Sequence, residues 1–466
     1  MLISTAELGG FKGLNLQQNP LNIQPNEPIR SVNVDSYEFG GLKKRAGYTT
    51  LLGTADGAEV NSLLDFHRND SSEFWLYRSS GSALYNSYQG TADWTLSTNG
   101  TITNPSHLNS AVLEDTFVVV GGGTTRHTTN GGTFTDTTSA PVAVDVIEYQ
   151  QRIWAAGTSS NLFYSTTGTA TDWTTDSSSI NIPGAGKLLN CFKTQDVLVA
   201  TKNSDLIFYY DGASLIDTTT TLAPSSPSSI GQIEGIRFGI NRSGIFSYGA
   251  GKPQLISNKI QKQIYNDAEG GIVGTMFDNA AGECHRYDYY CAVGSVTDDL
   301  TNETISNGII KYNAQSNSFT NYSFADFPTS WLSYEDLSGD RQLIFGDATG
   351  QCYTFGGTNV SDNGKAIETV IEFIVHGRTL KEKTWKWFRA LFNPGCGAKV
   401  QIAITDTFVK GSKRWIDLGD AASGVVEKRF PPGTDGVFLF IKVTESSTKP
   451  RFDFYAYEVE ADVIQR

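Results

Sequence analysis

The side chains that could support catalysis are scattered through the 466 residues without a spacing typical of an enzyme. The five histidines stand alone, with no H-E-x-x-H and no G-x-S-x-G near them. Cys284 and His285 are adjacent, but neighbours on a strand point to opposite faces, so this thiol would lie out of reach of its base. Residues 121–123 are three glycines without a following Lys-Ser/Thr pair, which predicts a turn rather than a phosphate loop. We therefore expect no enzyme, no catalytic residues and no cofactor.

One enzymatic class stays open as an alternative. Glycoside hydrolysis needs two carboxyl groups about 5–10 Å apart, and the 49 acidic residues allow many such pairs without selecting one. Sialidase-type propellers repeat the turn S-x-D-x-G-x-T-W. Residues 128–134 come near this turn, but they are one residue short and the pattern occurs once. The alternative function is a carbohydrate-binding or glycoside-hydrolysing propeller that takes part in receptor recognition.

The cysteines and the hydropathy pattern argue against a metal site and a membrane protein. The five cysteines form no C-x-x-C pair and no zinc spacing, which predicts reduced and mostly buried thiols. No window approaches the roughly 18 apolar residues that span a bilayer. The N-terminus has neither a basic start nor an apolar run, so we expect no signal peptide and no membrane insertion.

The elements that carry these residues are predicted to be short strands. The 47 glycines and the 54 aromatic residues favour strands joined by tight turns. Short apolar runs recur at steps of 36–54 residues, close to the roughly 40–50 residues of a propeller blade. The runs are marked by Trp75, Val118, Trp154, Leu198, Phe246, Tyr290 and Ile344.

A repeated phrase supports this period. Residues 90–94 read G-T-A-D-W and residues 168–173 read G-T-A-T-D-W. We expect the tryptophan to pack between adjacent sheets and the aspartate to shape the turn before it. The predicted fold is all-β, with a β-propeller of about six to seven blades over residues 59–360. The sixth unit carries a long polar insertion over residues 297–304, which complicates the blade number.

The two ends of the chain do not follow the repeat. Residues 1–58 contain Pro20, Pro25 and Pro28, which predict an extended N-terminal arm laid on another surface. Residues 361–466 are predicted to form a C-terminal β-sandwich-like domain. Its expected strands have period-two alternation and cover residues 369–375, 399–405, 436–443 and 452–459.

Several phrases resemble a known family. The N-terminal phrase contains Gly13-Leu14-Asn15, Pro20, Glu27, Asn33-Val34-Asp35 and Gly41-Leu42-Lys43-Lys44-Arg45-Ala46-Gly47-Tyr48. It resembles the opening of the tail nozzle proteins of short-tailed bacteriophages, also called tail hub, tail tubular or packaged-DNA stabilisation proteins. Residues 152–157, 163–165 and 172–173 look like their propeller blades. Residues 346–353 and 362–364 are similar to their junction between propeller and C-terminal part.

The resemblance implies a virion structural protein that acts without catalysis. It implies a homo-oligomeric ring, a hexamer, that forms the distal DNA conduit of a short tail. The implied partners are the tail adaptor protein below the portal and tail fibre or tailspike proteins. Viral DNA would pass through without sequence-specific binding. The implied location is the virion tail, assembled in the host bacterial cytoplasm.

The charge distribution agrees with a conduit. The net charge is −13, with 20 Lys+Arg against 36 Asp+Glu in residues 1–364 and 16 against 13 in residues 365–466. Tight binding of duplex DNA requires the opposite sign, which excludes a conventional DNA-binding protein. We expect a net acidic or neutral lumen that repels phosphate, although an acidic exterior that serves solubility accounts for the same numbers.

Five residues are candidates for contacts with a partner. Lys43, Lys44 and Arg45 form a basic triplet that could meet a second subunit or the adaptor, while a solvated turn is the alternative. Trp385 and Trp387 could form an aromatic docking patch, while packing in the core is the alternative.

Overall fold

The computed structural model describes residues 1–16, 20–36, 40–69, 73–103, 107–195, 197–218, 222–249, 253–265, 271–272, 274–297, 303–376, 380–406, 413–448 and 452–464. Nearly all of the regular structure in these ranges is β-strand. The helical segments are short: Pro20–Asn22, Pro227–Ser229 and Asn258–Ile260 are 3-10 turns, and Gln261–Ile264 and Gly274–Asp278 are α-helical. The described chain is therefore all-β, as the composition predicts.

Six four-stranded antiparallel sheets are arranged as the blades of a β-propeller, which confirms the predicted all-β propeller. We number the radial sheets along the chain and give the innermost strand first. Blade 1 contains Val60–His67, Phe74–Ser80, Ala83–Tyr88 and Thr95–Thr101; blade 2 contains Asn109–Leu113, Thr116–Val120, Arg126–Thr128 and Thr135–Asp136. Blade 3 contains Ala143–Tyr149, Arg152–Gly157, Asn161–Tyr164 and Ser178–Asn181; blade 4 contains Leu188–Thr194, Val197–Lys202, Ile207–Tyr210 and Leu215–Thr218. Blade 5 contains Gly231–Ile233, Ile236–Asn241, Gly244–Tyr248 and Gln254–Leu255; blade 7 contains Ser330–Glu335, Arg341–Gly346, Cys352–Phe355 and Tyr48–Leu51.

The position between blades 5 and 7 belongs to a larger sheet. Its four strands, which we call blade 6, are Ala281–His285, Asp288–Thr297, Thr304–Asn313 and Ser318–Ser323. They are the first part of a ten-stranded sheet, and Ala281–His285 lies between the innermost strands of blades 5 and 7. The ring thus has six separate blades and a seventh position filled by a shared sheet. Residues 298–302 of the polar insertion lie outside the described residues.

Apolar side chains between neighbouring sheets hold the ring together. A core between blades 2 and 3 contains Val118 and Ile153, and a core between blades 6 and 7 contains Tyr290 and Phe345. Alternate residues of each strand face the two neighbouring blades, so a blade contributes to two cores at once. This is why the apolar runs are nearly continuous in sequence.

The tryptophans of the repeated phrase pack as predicted. Trp94 packs against the core between blades 7 and 1, and Trp173 lies in the core between blades 2 and 3. Asp172 accepts hydrogen bonds from the backbone N–H groups of Thr174 and Thr175, at 2.9 and 3.1 Å. This aspartate therefore fixes the turn that follows it, whereas the sequence interpretation placed its effect on the turn before the tryptophan.

The ring is closed by a strand from the other end of the chain. Tyr48–Leu51, the closing strand, pairs antiparallel with Cys352–Phe355 and becomes the outermost strand of blade 7. Tyr48 is 1% exposed, and its ring contacts those of Phe345 and Tyr353. Closure satisfies the edge of blade 7 that would otherwise offer unpaired backbone groups to another chain.

The remaining strands form two sheets around a second core. The ten-stranded sheet continues from blade 6 through Arg30–Val32, Thr369–Val375, Phe438–Glu445, Lys399–Thr405 and Ile416–Asp420, with Gly271–Ile272 at its start. The seven-stranded sheet contains Leu2–Ser4, Val34–Ser36, Leu42–Lys44, Lys383–Phe392, Val425–Arg429, Asp435–Gly436 and Asp453–Val463. Both sheets combine strands from the first 44 residues with strands after residue 368. Phe373, Trp385 and Phe454 lie in the core that the two sheets share.

Candidate functional site

The basic triplet lies just before the closing strand, and the structure separates its members. Lys43 is exposed. Lys44 is buried, and its Nζ lies 2.7 Å from Glu445 Oε2. Arg45 is 2% exposed. Only Lys43 therefore presents its charge to solvent, while the charges of Lys44 and Arg45 are paired within the chain.

Arg45 is the centre of a junction between distant parts of the sequence. Its two terminal nitrogens donate to both carboxylate oxygens of Asp362, with Nη1–Oδ1 2.8 Å and Nη2–Oδ2 2.6 Å. Nε donates to Asn33 Oδ1 at 2.7 Å. The two remaining bonds go to the backbone oxygens of Ala46 and Ser323, both at 2.9 Å. All five guanidinium donors are thus used, which is the arrangement that makes a buried arginine tolerable.

Aromatic rings cover the faces of this guanidinium. Arg45 Cζ lies 4.4 Å from the ring centroid of Phe324 and 5.5 Å from that of Tyr322. Both rings belong to blade 6 or to the loop that follows it, so the junction joins the closing segment to the shared sheet. Cation–π contact in a dry site adds to the ion pair.

A second buried charge cluster lies beside the first. Lys311 Nζ, on blade 6, lies 2.6 Å from Asp35 Oδ1 and 3.0 Å from Asp288 Oδ2. The Tyr322 hydroxyl also donates to Asp35. Burial opposes ionisation of Asp35, but Lys311 and the hydroxyl outweigh it, so the pKa of Asp35 is lowered. Asp35 and Asp362 both lie in the phrases used for the resemblance, yet no pattern in the sequence marked them as partners of Lys311 and Arg45.

The two tryptophan candidates also have different surroundings. Trp385 is fully buried in the core between the two sheets, and its indole N–H donates to the backbone oxygen of Gly436 at 3.1 Å. Trp387 is half-buried, and its N–H donates to Glu427 Oε1 at 3.0 Å. Trp387 is therefore the candidate that remains accessible on the seven-stranded sheet.

The centre of the propeller carries a pocket of about 510 Å³, which we call the axial pocket. Its lining comes from the innermost strands of blades 1, 5, 6 and 7 and from the first turn and the second strand of blade 7. The lining residues are Asp65, His67, Gln232, Glu283, Cys284, Ser333, Tyr334, Glu335, Asp336 and Arg341. His67 Nε2 lies 3.2 Å from Asp65 Oδ2, and this hydrogen bond raises the pKa of His67. The axial pocket is polar and predominantly acidic.

Two carboxyl groups on the innermost strands are strongly affected by burial. Burial raises the pKa of Glu283 to about 7, although the backbone N–H of Cys284 donates to its Oε1 at 2.7 Å. Burial likewise raises the pKa of Asp145 to about 7, against hydrogen bonds from the backbone of Cys191 and Val146. In both cases burial disfavours the charged carboxylate and moves the pKa toward neutral pH.

The turns between the first and second strands of the blades are also acidic. All of these turns lie at one end of the ring, since every blade runs in the same direction. Their described charged residues are the acids Glu73, Glu114, Asp115, Glu234, Asp336 and Asp340 and the bases Arg68 and Arg286. This end of the propeller, the acidic end, therefore carries an excess of negative charge.

The other residues considered for chemistry are separated or buried. Cys284 faces the core shared with blade 5, while His285 Nδ1 lies 3.1 Å from Ser333 Oγ of blade 7. Burial raises the pKa of the Cys284 thiol and lowers that of His285 to about 4. All five cysteines are free and buried. The described residues contain no cluster of three metal-ligating side chains and no helix long and apolar enough to cross a membrane.

Comparison with known proteins identifies no family. No protein-family model and no curated protein matches the chain. Similar solved structures include YCF48 from Cyanidioschyzon merolae, at 10% identity over 66% of this chain and 98% of that chain, with a TM-score of 0.44. The WD40 β-propeller domain of Doa1 has 8% identity over 66% and 97%, with a TM-score of 0.40. The extracellular domain of BT4673 from B. thetaiotaomicron has 11% identity over 93% and 63%, with a TM-score of 0.45. At these values no function is carried over.

The Arg45–Asp362 junction yields a prediction on stability. We expect Arg45→Met and Asp362→Leu each to lower the free energy of unfolding by about 3–5 kcal/mol, because each leaves a buried charge unpaired. The double variant should lose much less than the sum of the two. Urea unfolding of the four proteins measures the coupling, and Lys43→Met, at the exposed neighbour, serves as the control. Additive losses would show that the pair does not act as a unit.

The raised pKa of Glu283 yields a prediction on pH dependence. The folded protein holds this proton up to about pH 7, while the unfolded chain releases it near pH 4.5, so wild-type stability falls across that window. Glu283→Gln has no proton to release. Relative to wild type it should gain about 3 kcal/mol as the pH rises from about 4.5 to about 8. Urea unfolding at several pH values tests this, with the exposed Glu335→Gln as control; parallel pH profiles of wild type and Glu283→Gln would contradict it.

Proposed function

We propose that this protein is the nozzle, or hub, subunit of a short bacteriophage tail, a structural protein that forms a hexameric ring around the distal DNA conduit. In this function it attaches to the tail adaptor protein and carries fibres or spikes. Viral DNA passes through the ring during ejection without sequence-specific binding. The work of such a subunit is mechanical, so the relevant features are its internal connections, its surfaces and its charge.

The observation that carries the proposal is the position of the N-terminal phrase in the fold. The residues that resemble the nozzle proteins make contacts between segments that are distant in sequence. Asn33 and Arg45 form the junction with Asp362, and Asp35 pairs with Lys311. The same phrase ends in Tyr48, the first residue of the closing strand. The residues of the resemblance therefore have a structural role in this fold, and this role supports the proposal.

A second support is the rigid connection between the propeller and the two-sheet part. The ten-stranded sheet joins blade 6 to the strands after residue 368 through Arg30–Val32, which pairs with blade 6 at Val32 and Asn321 and with Thr369–Val375 over three residues. Force applied to one part would therefore be transmitted through backbone hydrogen bonds rather than through a flexible linker. A ring subunit that joins an adaptor at one end and fibres at another has this requirement.

The charge supports passage of DNA without retention. Each fixed Lys or Arg in a lumen adds a phosphate contact, and several together give stable non-specific binding at physiological salt. The acidic end of the propeller carries six described acids against two bases in its first turns. In our proposal the lumen of the ring is acidic or neutral, and repulsion over about 8 Å keeps the duplex centred at physiological ionic strength.

The assembly prediction follows directly. The purified protein, alone or after addition of the adaptor, should form closed rings with six-fold symmetry, because a head-to-tail contact closes only when its rotation divides a full turn. Class averages of negatively stained particles and native mass spectrometry measure the symmetry and the copy number. A monomer both alone and with the adaptor would refute the proposal.

Variants at Lys43 and Trp387, the two accessible candidates, test whether these residues belong to the ring interface. Lys43→Glu and Trp387→Ala should keep the fold and lower the fraction of rings, whereas Lys187→Glu, at an exposed lysine on the loop before blade 4, should not. A ring fraction unchanged in both variants would remove these two residues from the interface.

A further inference from the structure

A groove on the flank of blade 3 differs in chemistry from the other described pockets. It has a volume of about 570 Å³, within the range of about 300–1,000 Å³ that is typical of ligand pockets. The outermost strand of blade 2, Thr135–Asp136, has two residues, whereas its counterpart in blade 3, Ser178–Asn181, has four. The short strand leaves the outer flank of blade 3 uncovered. We call this recess the flank groove.

The lining of the flank groove is uncharged. Its residues are Ser139, Pro141, Val142, Thr158, Ser159, Phe163, Tyr164, Trp173, Ser177, Ser178 and Ser179. In a chain with 18% charged residues and a net charge of −13, eleven uncharged lining residues stand out. The axial pocket, by contrast, contains both acidic and basic side chains.

The polar part of the lining carries seven hydroxyl groups. They belong to five serines, Thr158 and Tyr164. Within the described part of the chain, none of these hydroxyls makes a side-chain hydrogen bond, whereas Ser160, which follows Ser159 but is not part of the lining, does bond to the protein. The groove therefore offers a set of free donors and acceptors side by side.

The apolar part of the lining is aromatic. Phe163 is half-buried against the core between blades 2 and 3, and Trp173 is 8% exposed in the same core. The Trp173 indole N–H is already bonded to the backbone oxygen of Ala170, at 3.2 Å. What remains for a ligand is the exposed part of the Phe163 ring, because Trp173 is nearly buried and Arg152 Cζ lies 5.0 Å from the ring centroid of Tyr164. Val142, which is 53% exposed, lies at the rim.

We propose that the flank groove binds a neutral saccharide chain. A phosphate-bearing or acidic ligand requires cations, and a cationic ligand requires carboxylates, and the lining has neither. A sugar ring carries hydroxyls around its edge and apolar C–H groups on its faces. Free hydroxyls beside an aromatic wall match both features. This site is separate from the conduit function, so saccharide binding and ring formation can succeed or fail independently.

The test uses saturation-transfer NMR and calorimetry with neutral tetrasaccharides of glucose, galactose, mannose and N-acetylglucosamine. A tetrasaccharide of galacturonic acid is the charged comparison. The wild-type protein should bind at least one neutral tetrasaccharide more tightly than the charged one. Absence of binding to every neutral member, or preference for the charged one, would overturn the proposal.

Matched variants assign the binding to the groove. Ser179→Arg places a bulky charge in the groove at an exposed position opposite Phe163, and it should weaken binding by about tenfold or more. Asn181→Arg, on the same strand but outside the lining, should bind like wild type. Circular dichroism checks that both variants are folded. Equal affinity in Ser179→Arg and wild type would place the saccharide elsewhere and refute the assignment.

Discussion

The bidentate pair between Arg45 and Asp362 is the contact on which the rest of the architecture depends. The two residues are 317 positions apart, and their terminal atoms meet at 2.6 and 2.8 Å in the interior. Arg45 immediately precedes the segment that closes the ring, and Asp362 follows the strand with which that segment pairs. A buried guanidinium is costly unless every donor is used. The pair therefore permits one arrangement of the chain ends and disfavours alternatives in which either group stays unpaired.

The Arg45–Asp362 pair helps to explain why the propeller and the two-sheet part form one continuous body. The segment before Arg45 supplies strands to both sheets, and the segment after it supplies the closing strand of blade 7. Lys311 and Asp35 form a second ion pair between distant parts of the chain, at blade 6. Both contacts join oppositely charged, largely buried side chains from distant parts of the sequence, so loss of one partner would leave the other charge poorly compensated. A proposed ring subunit that transmits force between adaptor and fibres would use this property.

The sequence predicts the propeller because the signal is local and repeated. Trp94 and Trp173 mark equivalent turns, and the apolar runs recur at blade length. It does not predict the closing strand, since Tyr48–Leu51 is four residues long and lies beyond the repeat. Nor does the sequence distinguish Lys43 from Arg45, because both are basic residues of one triplet. Only tertiary packing determines which of the two side chains is exposed and which is buried. The flank groove could not be predicted from the sequence either, because it depends on how neighbouring blades pack and on the length of a strand in blade 2.

Because the Arg45–Asp362 pair joins the two ends of the propeller, we expect the closing strand to open only when the whole protein unfolds. Native-state hydrogen exchange measures this directly, because it gives an opening free energy for each segment. Amides of Tyr48–Leu51, Cys352–Phe355 and Thr369–Val375 should exchange with one common free energy, equal to that of global unfolding. Exchange of Tyr48–Leu51 at a much lower free energy, with the other two segments still protected, would contradict it.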